Sequence, residues 1–259
     1  MKSESELVSA ADENFIASFR KLAEHVAGAA IRESGGIFSF VTGLPSSLFN
    51  GTVVTEPTTP EELGAAVQWV SRRSAAQRAW IAEKLVVELG EVPPLHGLAR
   101  EPAPYPGMIL HPPPEAPARS AGVSVASVGV AGLDEFVGVS VEGGVAPAVA
   151  QRMFSPAFAS DPDVELFVGR LDGRPVGTSI AIRSREASGV YNVGTLPPAR
   201  RRGVGQALTW AAAEAGRAWG CDIIVLQSSS MALPMYSGMG FRTVAPYTTF
   251  TTTSPGRSD

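Results

Sequence analysis

The segment Val193-Gly194-Thr195-Leu196-Pro197-Pro198-Ala199-Arg200-Arg201-Arg202-Gly203-Val204-Gly205-Gln206 joins an apolar run to an amphipathic one through two glycines and three arginines. These residue types suit a diphosphate. A helix that begins at Val204 leaves its first N–H groups without intrahelical acceptors, and its aligned peptide dipoles add positive potential there. Gly203 and Gly205 carry no Cβ, so phosphate oxygens can approach the backbone closely. Arg200, Arg201 and Arg202 add cationic charge beside them. Nucleotides and coenzyme A both carry such a group. The bland alternative is a strand–helix turn with a solvated arginine cluster, and two glycines do not decide between the two. No Gly-Lys-Ser/Thr ending follows, which excludes a Walker-type loop, and the third glycine of the dinucleotide fingerprint is missing.

The flanking periodicity says what must hold this segment. Residues 164–169 read as a strand, Asp172-Gly173 as a hairpin turn, 176–182 as the returning strand and 189–196 as a third. Val204, Leu208, Ala211, Ala215 and Trp219 recur at helical spacing over 204–219, and Gly220 suits a helix stop. A short buried strand at 222–227, a helix at 231–238 and a Thr- and Phe-rich strand at about 241–252 follow. The order implies a mixed α/β sheet with the cradle between its third strand and the next helix.

Arg200-x-x-Gly203-x-Gly205 resembles the Gln/Arg-x-x-Gly-x-Gly/Ala signature of the GNAT N-acetyltransferases. Val193-Gly194-Thr195, Leu226-Gln227-Ser228 and Met235-Tyr236-Ser237-Gly238-Met239-Gly240-Phe241 also look like elements of that family, and the resemblance covers about residues 124–252. It implies a mixed-sheet acyl-CoA N-acyltransferase fold with acetyl-CoA as cosubstrate. It further implies that the strand end Val193, Gly194 and Thr195 binds the pantetheine arm, with backbone groups of Val193 and Thr195 pairing its amides. Backbone N–H groups from Arg201 to Gln206, through Arg202, Gly203, Val204 and Gly205, would hold the pyrophosphate. Tyr236 matches the family's tyrosine, a phenol with a pKa of about 10 that can protonate a departing thiolate. Ser229 and Ser230 stand where the family places a cofactor-binding Asn or Ser, although N-capping of the next helix explains them equally well. The activity implied is acetyl transfer to a primary amine, on a small molecule or a peptide, by direct attack without an acyl-enzyme. A non-catalytic acyl-CoA sensor, a longer acyl group or a hydroxyl acceptor are the alternatives. Glu142, Glu165 and Glu186 are candidate bases only by being acids in this half, and none is assigned.

The whole chain is consistent with this. It has 259 residues, 44% hydrophobic and 18% charged, which describes a globular protein. A formal charge of −4 argues against a general nucleic-acid binder. One cysteine, Cys221, and three scattered histidines, His25, His96 and His111, leave no metal-site spacing. No run is long and apolar enough for a membrane span, and the acidic start Met1–Glu6 does not read as a secretion leader, so a cytoplasmic location is expected, as a monomer or homodimer.

Seven prolines within 102–118 suggest a linker at 111–123, dividing the chain into a lobe at 1–110 and a catalytic lobe at 124–259. The halves read as a degraded duplication. Phe49-Asn50 answers Tyr191-Asn192 at an offset of 142, the helical stretch 60–73 answers 202–215, and His96-Gly97-Leu98 answers Met239-Gly240-Phe241. Strands at 37–43 and 49–54 should then match 176–182 and 189–196. At the cradle position the first lobe has Thr55-Glu56-Pro57-Thr58-Thr59-Pro60-Glu61-Glu62, with three carboxylates and two prolines, so it should bind no coenzyme.

Overall fold

The computed structural model describes residues 2–89 and 97–252. The chain begins with α1 (Glu4–His25), β1 (Ala30–Ser34), β2 (Ile37–Val41), β3 (Asn50–Val54), α2 (Pro60–Ser71), β4 (Arg78–Ala82) and α3 (Glu83–Glu88). Then come β5 (Leu98–Arg100), β6 (Gly107–Leu110), β7 (Val123–Ser127), α4 (Leu133–Glu142), α5 (Pro147–Met153) and α6 (Pro156–Ala159). The remainder is β8 (Val164–Leu171), β9 (Arg174–Arg183), β10 (Ala187–Thr195), α7 (Val204–Ala218), β11 (Ile223–Gln227), α8 (Leu233–Gly238), β12 (Arg242–Thr243) and β13 (Tyr247–Thr252).

These elements form two compact units. The N-terminal unit comprises Phe19–Pro106 and Ala245–Asp259, and the C-terminal unit comprises Met1–Ser18 and Gly107–Val244. In the N-terminal unit the sheet order is β1-β2-β3-β4-β13-β5. Strand β2 is buried at every residue, and Phe40 stacks on Phe19 at 4.4 Å between ring centroids, with Trp80 4.9 Å from Phe19 and 6.2 Å from Phe40. Helix α2 begins at Thr59, whose hydroxyl accepts from the Glu62 N–H while the Glu62 carboxylate accepts from the Thr59 N–H. This reciprocal cap satisfies donors that a helix start otherwise leaves open.

The C-terminal unit has the sheet order β7-β8-β9-β10-β11-β6-β12. Asp172 and Gly173, with φ of 51° and 80°, make the tight turn between β8 and β9 that their residue types require. Helix α7 packs its alanine-rich face on β7 to β10. The succession β8-β9-β10-α7-β11 repeats β1-β2-β3-α2-β4, and β6 occupies in one sheet the place that β13 occupies in the other. Two similar mixed-sheet lobes result. Gly97 and Gly240, with φ of 86° and 96°, lead into the corresponding edge strands β5 and β12; His96 lies outside the described residues.

Three readings of the sequence require correction. The Thr-rich tail is not one strand at 241–252: β12 pairs with β6, whereas β13 lies between β4 and β5. Thr249 donates to the Glu101 carboxylate at 2.7 Å, which also accepts from Arg78 at 2.8 Å, and this fastens β13 in place. The boundary therefore does not divide 1–110 from 124–259, because β6 and β13 each complete the sheet built mainly by the other part of the chain. The physical reason is that both are short, largely buried strands that must be paired on both edges to satisfy their backbone. Finally, 111–122 is not a free spacer but runs from β6 to β7 within one unit. Asp222 O lies 2.7 Å from His111 Nδ1, and residues 116–120 lie along α7, where they and the helix line a groove of about 80 Å³. The two aromatic-Asn pairs also differ in role. Asn50 opens β3 and holds the preceding loop through Thr42, Gly43, Leu44 and Ser46, whereas Asn192 sits well inside β10.

Tyr247 is fully buried in β13. Tyr247→Ala should destabilise the N-terminal unit by about 3–5 kcal/mol, the range for truncating a large buried aromatic. Amide hydrogen exchange should quicken in β3 and β4 and stay unchanged in β10 and β11; the reverse pattern would refute the strand placement.

Candidate active site

Parallel pairing between β10 and β11 joins Ala187 to Ile223, Ser188 to Ile224 and Gly189 to Val225, and there it stops. Strand β10 runs on to Thr195 with β9 as its partner. Between Tyr191 and Gly194 it carries one residue more than β9, a bulge in which Asn192 takes φ 50°. The Thr178 hydroxyl lies 3.3 Å from both Asn192 O and Asn192 Nδ2 and holds that residue. Leu196 N–H donates to Val176 O on β9, so strand alternation turns the backbone of Val193 and Thr195 toward the opening. An extended ligand bearing amides can pair with such an edge. Gly194, by the same alternation, faces β9.

The strand end leads to a short 3-10 turn at Pro197–Ala199 and then to the arginines. Arg200 Nε donates to Thr195 O at 3.1 Å and ties the turn back to the strand. Arg201 and Arg202 are exposed and make no ion pair among the described residues. Arg201 and Gly203 both take left-handed backbone, φ 62° and 83°, which curls the chain into the helix start. Helix α7 has Gly203 as its N-cap, with no side-chain cap, and its first intrahelical bond runs from Ala207 N–H to Gly203 O. The N–H groups of Val204, Gly205 and Gln206 therefore have no acceptor within the helix. A Cβ on Gly205 would lie 3.5 Å from Thr195 Oγ1 and 3.6 Å from Met235 Sδ, so this glycine sits where β10, α7 and α8 converge.

Tyr236 is on α8, one residue beyond Met235, and is 6% exposed. Its ring meets Phe241 edge-on at 5.8 Å, within the cluster that includes Val204, Leu208 and Met239. Ser229 is exposed, and its carbonyl accepts the N–H groups of Ala232 and Leu233. Helix α8 has no side-chain cap, so neither Ser229 nor Ser230 serves that purpose. Glu142 and Glu186 are exposed and Glu165 is half-buried; Glu186 pairs with Lys2 at 2.8 Å. Burial pushes the Cys221 thiol upward, which disfavours the thiolate and suits a core residue. Among the described residues no group of three His, Cys, Asp or Glu could hold a metal ion, and no helix is long and apolar enough to cross a membrane.

The corresponding place in the N-terminal unit is built differently. Strands β3 and β4 stay paired through Val54 and Ile81, to the last residue of β3. Helix α2 has its start capped by Thr59 and Glu62, with Glu61 beside them. Sequence reasoning missed Asn192, Thr178 and Met235. An Asn, disfavoured in strands and tolerant of left-handed backbone, inside a strand pattern was the available signal for the first, while the other two have none.

A model of the acetyltransferase (GNAT) family matches residues 142–241. A GCN5-related N-acetyltransferase from Kribbella flavida superposes with a TM-score of 0.70 at 23% identity, over 95% of this chain and 96% of that one. A tandem GNAT protein from the clavulanic acid biosynthesis pathway gives 0.59 at 14% identity, covering 96% and 98% of the two chains. A GCN5-related N-acetyltransferase from Sphaerobacter thermophilus gives 0.55 at 19%, covering 96% and 93%. A search of curated proteins returns no match. The fold is thus the GNAT acetyltransferase fold, with two similar lobes in one chain.

The two cradle glycines should respond oppositely to alanine. Gly203→Ala meets left-handed backbone and the Ser120 hydroxyl, 2.4 Å from the new Cβ, and should cost about 1–2 kcal/mol. Gly205→Ala has room within the first helical turn and should gain up to about 1 kcal/mol. Urea midpoints that move in the same direction would contradict this assignment of backbone conformation.

Proposed function

We propose that the protein is an acetyl-CoA-dependent N-acyltransferase whose C-terminal unit binds one coenzyme per chain. The observation that carries the reading is the parting of β10 from β11 directly beside a helix that starts on glycine without a side-chain cap. The residues fit the coenzyme at both of its polar stretches. Backbone groups of Val193 and the N–H of Thr195 face the opening and suit the pantetheine amides. The free N–H groups at the start of α7, with Arg201 and Arg202, suit the diphosphate. When bound, acetyl-CoA supplies the activated acyl group as a thioester. The chain's own part is to hold that group beside an incoming neutral amine and to keep a proton ready at the Tyr236 hydroxyl for the departing sulfur. The acceptor class is a primary amine on a small molecule or peptide. The N-terminal unit binds no coenzyme in this reading, since its paired strands, capped helix and carboxylates leave neither amides nor positive potential for a diphosphate.

Gly205→Glu places a carboxylate in the first turn of α7, where a helix tolerates it but a diphosphate does not. Calorimetry should show acetyl-CoA affinity falling at least tenfold, about 1.4 kcal/mol, with the thermal midpoint retained; unchanged affinity would remove the cradle. Tyr236→Phe should lower kcat by roughly 100-fold, as expected for a lost general acid, while acetyl-CoA binding is kept. Thiol release from acetyl-CoA across a panel of amines is the assay. Wild-type turnover by the variant would remove Tyr236 from the chemistry, and coenzyme binding without turnover of any amine would make the unit a sensor.

A further inference from the structure

Asn14 lies in the middle of α1 and is fully buried within the C-terminal unit. A buried amide needs partners at both ends. Asn14 Nδ2 lies 3.0 Å from Ile182 O, 3.1 Å from Ala187 O and 3.1 Å from Ser184 Oγ, and so grips the turn that joins β9 to β10. Its Oδ1 accepts from the Tyr191 hydroxyl at 2.7 Å, and its main-chain oxygen lies 3.1 Å from the same hydroxyl. Lys2 fastens the start of the helix at the same end of the sheet, 2.8 Å from Glu186 and 3.6 Å from Asp222.

Tyr191 is the one of these partners that lies beyond the last pairing of β10 with β11. Its ring folds back along its own strand over Gly189, where a Cβ would come within 2.3 Å of Tyr191 Cε2 and 2.1 Å of Asn14 Oδ1. The next residue, Asn192, takes the left-handed backbone of the bulge, and Val193 then faces the opening. A left-handed residue outside glycine persists only where its surroundings hold it. Without a restraint, β10 could lose the bulge and continue its ladder toward β11, which would close the cleft.

We propose that Asn14 is a positioning residue for the cleft: by holding the Tyr191 hydroxyl it pins the bulge at Asn192 and keeps β10 turned away from β11. The consequence for coenzyme binding rests on the function proposed above; the restraint on the strand does not. Tyr191→Phe removes the hydroxyl alone and leaves the ring over Gly189, so it separates this role from the grip of Asn14 on the turn. In the coenzyme-free protein, the amides of Gly194 and Leu196, which face β9, should exchange at least tenfold faster in Tyr191→Phe, and by a larger factor than the amides of β8, since the lost partner of buried Asn14 Oδ1 also lowers the thermal midpoint. The double variant Asn14→Ala/Tyr191→Phe should exchange no faster there than Asn14→Ala. The acetyl-CoA Kd and KM of Tyr191→Phe should rise at least fivefold with kcat retained. Unchanged exchange in Tyr191→Phe overturns the clamp. Faster exchange with wild-type affinity overturns its role in binding. A wild-type chain that binds no acetyl-CoA overturns the coenzyme reading, and the exchange rates then decide the clamp independently.

Discussion

A parallel strand pair ordinarily continues until one strand ends, because a buried peptide group without a partner is costly. Strands β10 and β11 break that rule, separating after Gly189 and Val225 although both run further. The other features of the site depend on this separation. The bulge at Asn192 turns the strand, Thr178 and Arg200 hold the residues on either side of the exposed edge, and α7 starts where the diverted strand delivers the chain. A ligand that supplies amides along the edge and negative charge at the helix start satisfies both sets of open backbone groups together.

The two units show how little must change to create or remove such a site. Both carry strand, strand, strand, helix, strand in the same order and sheet position. In one, the helix start is closed by Thr59 and Glu62 and the strands remain paired. In the other, glycine replaces the cap and a bulge parts the strands. The same N–H groups at a helix start are thus either met by a side-chain cap or left without one. The placement of β13 gives the rest of the architecture its constraint, since the N-terminal sheet is not complete without this strand from the far end of the sequence, whereas the strands of the other sheet all lie within Gly107–Val244.

What could be read in the sequence was what is local. Helix α7 with its stop at Gly220 and the Asp172-Gly173 turn follow from a few neighbouring residue types, and the structure contains both, with Gly203 at the helix start. The destination of β13 could not be read, because a Thr- and Phe-rich strand looks the same in either sheet. The proline-rich interval reveals an extended backbone but not the surface it covers, and so it resembled a spacer. Asn14 left a faint signal, an amide in helical phase with Leu7, Ala11, Ser18 and Leu22 on a buried stripe. Its meaning depends on Tyr191 and Gly189, more than 170 positions away, and only the fold brings them together.

The central claim is that one ligand satisfies the open backbone groups of β10 and α7 and that the other unit has none to offer. Amide hydrogen exchange of the intact chain, with and without saturating acetyl-CoA, tests it directly. The account requires protection at Val193, Thr195 and residues 204–206, with no change at 52–55 or 60–63. Protection in both units, or none at the start of α7, would contradict it.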